Sequence, residues 1–161
     1  LSNGSLLLKA AMNFNDTEVT NKGDLVTPAA LADYTTDQLL GRANTVRFES
    51  SSPAEAFQFS ARVQRPTTTW MVKLNRWGEV TIPSGTVERE QVLSGKWTTD
   101  MEYSFQANSQ VRVSFGVNNM FDVYPDKTIK RNSFNGIFQH SGYSPFGFHG
   151  RYIYTRLDMT L

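Results

Sequence analysis

The chain has 161 residues, a formal net charge of +1 and no cysteine. That length suffices for one domain with a core and is short for a large barrel. The scattered basic residues leave no nucleic-acid footprint, and disulfides and thiolate metal sites are excluded. Aromatic residues make up 12% of the sequence, led by 11 Phe and 6 Tyr, which suits strands. Apolar runs of roughly 18 residues are absent, so no transmembrane helix is expected. Transmembrane strands escape that test, because their signal is alternation over roughly ten residues. The Leu6, Leu7, Leu8 cluster lacks the flanks of a signal peptide. A start at Leu1 rather than Met reads as a piece of something larger.

Alternation predicts six strands. Residues 5–15 place Leu6, Leu8, Ala10, Met12 and Phe14 on one face, with Leu7 and Ala11 as imperfections on the other. Residues 16–52 form a long polar stretch, in which residues 28–40 are expected to make a short helix capped by Thr27. Residues 54–64 alternate Phe57, Phe59, Ala61 and Val63 against Gln58, Ser60, Arg62 and Gln64. After a short turn at Arg65-Pro66, residues 67–77 set Trp70, Val72 and Leu74 against Met71, Lys73 and Asn75, and Gly78 ends or bulges the strand. Residues 79–95 read as a polar connection. Residues 96–106 and 110–121 form the next two strands around a turn at Ala107-Asn108-Ser109. A third long loop spans 122–147, and from Arg151 the chain alternates without a break to Leu161.

The connections run long, short, long, short, long. An up-and-down antiparallel meander then collects every long loop on one edge and every short turn on the other, as transmembrane barrels do. The polar face, with Lys9, Arg62, Lys73, Asp100, Glu102, Arg112, Arg156 and Asp158, fits either the solvated face of a soluble sheet or a water-filled lumen. Trp70 and Phe105 near the short turns, with Trp97 and Phe14 near the long loops, match two interfacial aromatic girdles.

Residues 117–125, VNNMFDVYP, resemble the N-L-F-N/D…Y-P signature of TonB-dependent outer-membrane receptors, in Asn118, Asn119, Phe121, Tyr124 and Pro125. Residues 144–152, SPFGFHGRY, resemble that family's PFGxxGRxYY lead-in to the last strand, in Pro145, Phe146, Gly147, Gly150 and Arg151. Arg76-Trp77-Gly78 is similar to an upstream R-Y/F-G region. The family's chains end most often in Phe, where this one has Leu161; Met120 stands for a usual Leu, and His149 where Asn is common. The resemblance implies an all-β architecture: an antiparallel up-and-down meander of about six strands, belonging to a 22-stranded transmembrane barrel with a plugged lumen. Residues 1–161 are then the C-terminal segment of that barrel, with the plug domain and the TonB-binding box upstream. It further implies a bacterial outer-membrane location, lipid and the rest of the barrel as partners, TonB acting through the missing N-terminal part, and uptake of a scarce nutrient such as a ferric siderophore. The alternative from a different class is a soluble β-sandwich or open-barrel ligand-binding module, for example for carbohydrate.

Catalysis finds no support in the sequence, and the chain is read as no enzyme, with no cofactor and no metal. His140 and His149 stand nine apart without a carboxylate spaced as a metal partner. Ser, His and Asp residues lack a nucleophile-elbow context. Asp100 and Glu102 read as polarity of one strand face rather than a catalytic pair. Residues 134–148 carry five aromatics and a histidine, and Phe138, His140 and Tyr143 are the expected ligand contacts, against the plainer reading that these rings pack the loop. An isolated open sheet with an apolar face is expected to pair strands between molecules or to close on itself.

Overall fold

The computed structural model describes residues 3–20, 26 and 28–160. The six long strands are β1 (Ser5–Phe14), β2 (Glu55–Gln64), β3 (Thr68–Trp77), β6 (Lys96–Gln106), β7 (Val111–Asn118) and β8 (Tyr152–Met159). They form one sheet whose order follows the chain, with every neighbouring pair antiparallel. A second, two-stranded sheet pairs β4 (Val80–Ile82) with β5 (Gln91–Leu93) inside the connection between β3 and β6. The sheet is open, with β1 and β8 as its edges.

The register follows from the period-two pattern, because a one-residue slip would turn every apolar side chain to the other face. Leu8, Ala61, Val72, Met101, Val117 and Ile153 lie opposite one another in a row across all six strands. One pleat away, Leu7, Arg62, Met71, Glu102, Gly116 and Tyr154 form the corresponding row of the polar face. Leu7 is therefore an apolar side chain on the polar face, as the broken alternation implied.

Solvent exposure runs opposite to that of a soluble sheet. On the apolar face Leu8 is 55% exposed, Ile153 73% and Phe115 50%, whereas on the polar face Asn75 is 6%, Thr98 5%, Ser104 4% and Ser114 0%. Among the described residues the buried apolar side chains are Val46, Val80, Ile82 and Leu93, none of them on the large sheet. The chain exposes 11168 Å². A compact soluble monomer of its mass exposes roughly 8,100 Å². The excess is the bare apolar face and the loop tips.

The short turns are closed locally. Arg65 N–H donates to Thr68 O, and the Asn108 side chain accepts from the N–H groups of Gln110 and Val111, both at 2.9 Å. The long connections carry structure that alternation did not foresee. The helix expected over 28–40 is broken. A 3-10 turn at Ala29–Leu31 gives way to α1 (Thr36–Leu39), which starts afresh because Thr35 and Gln38 form a reciprocal capping box. The longer α2 (Arg42–Glu49) follows, where no helix was expected. The cap assigned to Thr27 lies outside the described residues, as does Leu161. Strand β7 stops at Asn118 rather than 121, since Asn119 has φ 51° and Asp122 φ 58°, left-handed conformations that a strand cannot continue through.

Candidate functional site

All three long connections meet at one edge of the sheet, and specific contacts tie them together. The Arg42 guanidinium at the start of α2 grips Glu90 with two parallel bonds, Nε to Oε1 at 2.6 Å and Nη2 to Oε2 at 2.7 Å. Beyond α2, Ser51 Oγ donates to Thr81 O of β4 at 2.8 Å. The Gln91 side chain of β5 donates to Lys127 O and accepts from Ile129 N–H, and Asn132 Nδ2 donates to Arg89 O. Asp126 receives Ser94 N–H at 2.6 Å and Lys96 Nζ at 2.7 Å. Partial burial pushes its carboxyl pKa up, but the bonds from Lys96 and Ser94 outweigh that and bring it down to about 2.

The residues of the two sequence signatures converge on this edge and fix the third connection. Asn119 closes a loop on itself, donating from Nδ2 to Val123 O at 2.8 Å and accepting Val123 N–H at Oδ1 at 2.9 Å. Its own N–H donates to Asp100 Oδ1 at 2.9 Å, which ties the loop to the polar face. Asp122 Oδ1 accepts Arg151 N–H at 2.8 Å, so the exit from β7 holds the start of β8. Gly150 has φ 73°, and a Cβ there would meet the Tyr124 hydroxyl and come within 2.6 Å of Asp122 Oδ1. Gly147, at φ 77°, completes a turn in which Ser144 Oγ donates to its carbonyl at 2.8 Å, with Pro145 and Phe146 between. Pro125 is buried, Asn118 ends β7, and Phe121 projects 68% exposed.

Phe138, His140 and Tyr143 come together as walls of one open pocket of about 460 Å³, which Ile82, Thr128 and Phe148 also line. An antiparallel bridge between Lys127 and His140 brings the two halves of the loop together. The His140 ring stacks on Tyr124 with centroids 5.4 Å apart and planes at 22°, so a signature residue orients a pocket residue. His140 Nδ1 and Thr128 Oγ1 are buried polar atoms without a hydrogen-bond partner among the described residues. Spacing alone missed Thr128 and Ile82, because the first enters through the Lys127–His140 bridge and the second from another connection.

The polar face of the sheet carries a second network. Glu102 accepts Tyr154 Oη at 2.7 Å and Arg156 Nη2 at 3.2 Å, and Lys73 pairs with Asp100 at 3.3 Å. Asn75 bridges Asp100, Thr98 and Gln58. The carboxylates Asp100 and Glu102 are thus held by cations and hydroxyls of the same face. Among the described residues no group of three or more His, Cys, Asp or Glu is placed to hold a metal ion.

No family model matches the chain, and no curated protein does. Solved structures do. A mutant of the ferric enterobactin receptor from Pseudomonas aeruginosa superposes on 68% of this chain with a TM-score of 0.50 and 14% identity. The ferric-catecholate import receptor Fiu from E. coli covers 73% with a TM-score of 0.49 and 15% identity. This likeness is one of fold. The sheet is similar to a stretch of a receptor β-barrel, and the match takes in 16% of either receptor's chain.

Proposed function

We propose that residues 1–161 are the C-terminal segment of the barrel of a TonB-dependent outer-membrane receptor. The parent protein takes up a scarce nutrient such as a ferric siderophore, with TonB acting through an upstream plug. The observation that carries this reading is the inverted exposure: an apolar row in which Leu8, Val72 and Ile153 are exposed, backed by a polar face on which Asn75, Thr98, Ser104 and Ser114 are buried. Aromatic rings support it. Trp70, Tyr103, Phe105 and Phe115 form a row near the short turns, with centroids 4.3, 6.1 and 6.5 Å apart. Trp97, and Phe14 against Phe57, lie toward the long-loop edge. Trp70 pairs with Tyr103, and Trp97 lies further along β6. At about 3.4 Å per residue the two belts stand about 20 Å apart along β6.

On this reading the long loops face outward, and Phe138, His140 and Tyr143 contact the ligand at the mouth. The signature residues Asn118, Asn119, Phe121, Tyr124, Pro125, Pro145, Phe146, Gly147, Gly150 and Arg151 shape the link between the last two strands. The likeness in fold to a ferric enterobactin receptor supports the choice of a receptor barrel. A soluble sandwich needs a second sheet to cover the first, and the two-stranded β4–β5 sheet is too small for that. The test is the coding sequence of the parent. A plug domain and further paired strands ahead of residue 1 are expected, and a soluble enzyme or lectin domain in that place contradicts the proposal.

A further inference from the structure

Between β7 and β8 the chain builds a second recess beside the aromatic pocket, sharing Thr128 and Phe138 with it. This recess, of about 310 Å³, is walled by Lys127 and Lys130 and by the turn around Ser133 and Gly136, and no carboxylate lines it. Among the described residues Lys127, Lys130 and Arg131 form no ion pair. The nearest acid in sequence, Asp126, is already held by Lys96 and Ser94 N–H, so it does not neutralise them.

The turn is held in one shape. Phe134, Asn135 and Gly136 have φ of 49°, 59° and 89°, three left-handed residues in succession. Ser133, 3% exposed, anchors them: its Oγ donates to Lys130 O at 2.7 Å and accepts Gly136 N–H at 2.9 Å, and its carbonyl accepts Phe138 N–H at 3.0 Å. The anchored turn holds Phe134 77% exposed and Ile137 74% exposed, beside Phe138 at 59%. Two lysines that line one recess and form no ion pair among the described residues match a phosphate. Phe134 and Ile137 stand exposed on the turn beside it, large apolar side chains of the kind that enter acyl chains.

We propose that the turn and recess over residues 127–139 are a headgroup site for an anionic lipid, with Lys127 and Lys130 on its phosphate and Phe134 and Ile137 among its acyl chains. The site does not depend on the transport reading, since a soluble protein bearing it would bind anionic vesicles too.

The test is tryptophan-to-dansyl-lipid energy transfer with the whole chain on two kinds of vesicle, phosphatidylcholine alone and phosphatidylcholine mixed with phosphatidylglycerol. Phosphatidylglycerol is expected to tighten binding. Lys127→Gln with Lys130→Gln is expected to reverse that gain by about thirtyfold, at the usual contribution of a lysine near an anionic surface. Lys9→Gln with Arg62→Gln removes the same charge from the sheet and is expected to change binding by no more than about twofold. Phe134→Ser with Ile137→Ser weakens vesicle binding while inorganic phosphate still competes with the vesicles. Equal binding to the two vesicle types overturns the proposal, and so do equal losses in the two charge-removing variants. Competition by inorganic phosphate without any preference for phosphatidylglycerol makes the recess a free-phosphate site and overturns the lipid assignment.

Discussion

The two faces of the sheet share strands, register and twist, yet they are held in opposite ways. The polar face satisfies itself: Glu102 with Tyr154 and Arg156, Asp100 with Lys73 and Asn75, and Ser104 with Ser114 at 2.9 Å. Its small polar side chains are buried under longer ones of the same face. Among the described residues the apolar face has only cross-strand neighbours and no layer above it. A sheet in water is stabilised through the face it hides, because burial of apolar area is the largest favourable contribution to folding. On the proposed reading that contribution comes from outside the chain, and the polar network supplies specificity of pairing.

The largest expected effect breaks this contrast at its centre. Val72 lies in the middle of the apolar row, 36% exposed. Val72→Arg is expected to destabilise the chain in lipid by about 2–4 kcal/mol, the cost of a charge near a bilayer midplane. On a water-facing surface the same change stays within about 0.5 kcal/mol. Urea unfolding in vesicles measures the difference.

Next comes the packing of the last strand. The Tyr154 ring lies directly over Gly116, where any Cβ would overlap it. Gly116→Ala is expected to cost about 1–3 kcal/mol, the usual range for overpacking. Tyr154→Ala should relieve most of that clash, so the double variant is less destabilised than the sum of the singles. Additive losses in a double-mutant cycle contradict this contact.

A smaller effect belongs to the polar network. Glu102→Ala leaves the Tyr154 hydroxyl and one Arg156 contact without their acceptor. It is expected to cost about 1–2 kcal/mol, because Arg156 keeps Asp158 and reaches water. Amide exchange should quicken along β8 and not along β1.

The smallest effect lies outside the sheet. Asp126 titrates at about 2, below the ordinary 3.8, so its bonds to Lys96 and Ser94 stabilise the loops above pH 4 and are lost as pH falls toward 2. The carboxylate is partly exposed, so the contribution is below about 1 kcal/mol. Asp126→Asn should speed exchange of the Ser94 amide at pH 7, and the difference from the unsubstituted chain should fade as pH falls through 2.

The sheet was legible because period-two alternation marks the strands, broken in β1 only at Leu7 and Ala11, and the short turns announce themselves, Arg65-Pro66 by proline and Ala107-Asn108-Ser109 by an asparagine that accepts two backbone N–H groups. The long connections were not. Their helices depend on caps such as Thr35 with Gln38, which restart the chain where a continuous pattern was expected. Strands β4 and β5 are three residues each, too short for periodicity to register. Phe138, His140 and Tyr143 stood out as aromatic density in one loop, and the structure places them around one pocket. Thr128 and Ile82 carry no such signal, since a long-range bridge and a separate connection bring them there. Lys127 and Lys130 carry no signal of their own in the sequence, and the Ser133 turn brings both to the wall of one recess.

The contrast between the faces can be read directly with tryptophan. Trp70 and Trp97 lie on the apolar face, 45% and 56% exposed, while Trp77 lies on the polar face with its indole N–H on Thr98 Oγ1 at 3.3 Å. Three variants, each keeping one tryptophan and carrying Phe at the other two positions, are folded into vesicles of phosphatidylcholine with brominated acyl chains. Strong bromine quenching of Trp70 and Trp97, with Trp77 nearly unquenched, is the result a lipid-facing apolar face requires. Equal quenching of all three, or quenching of Trp77 alone, would contradict it.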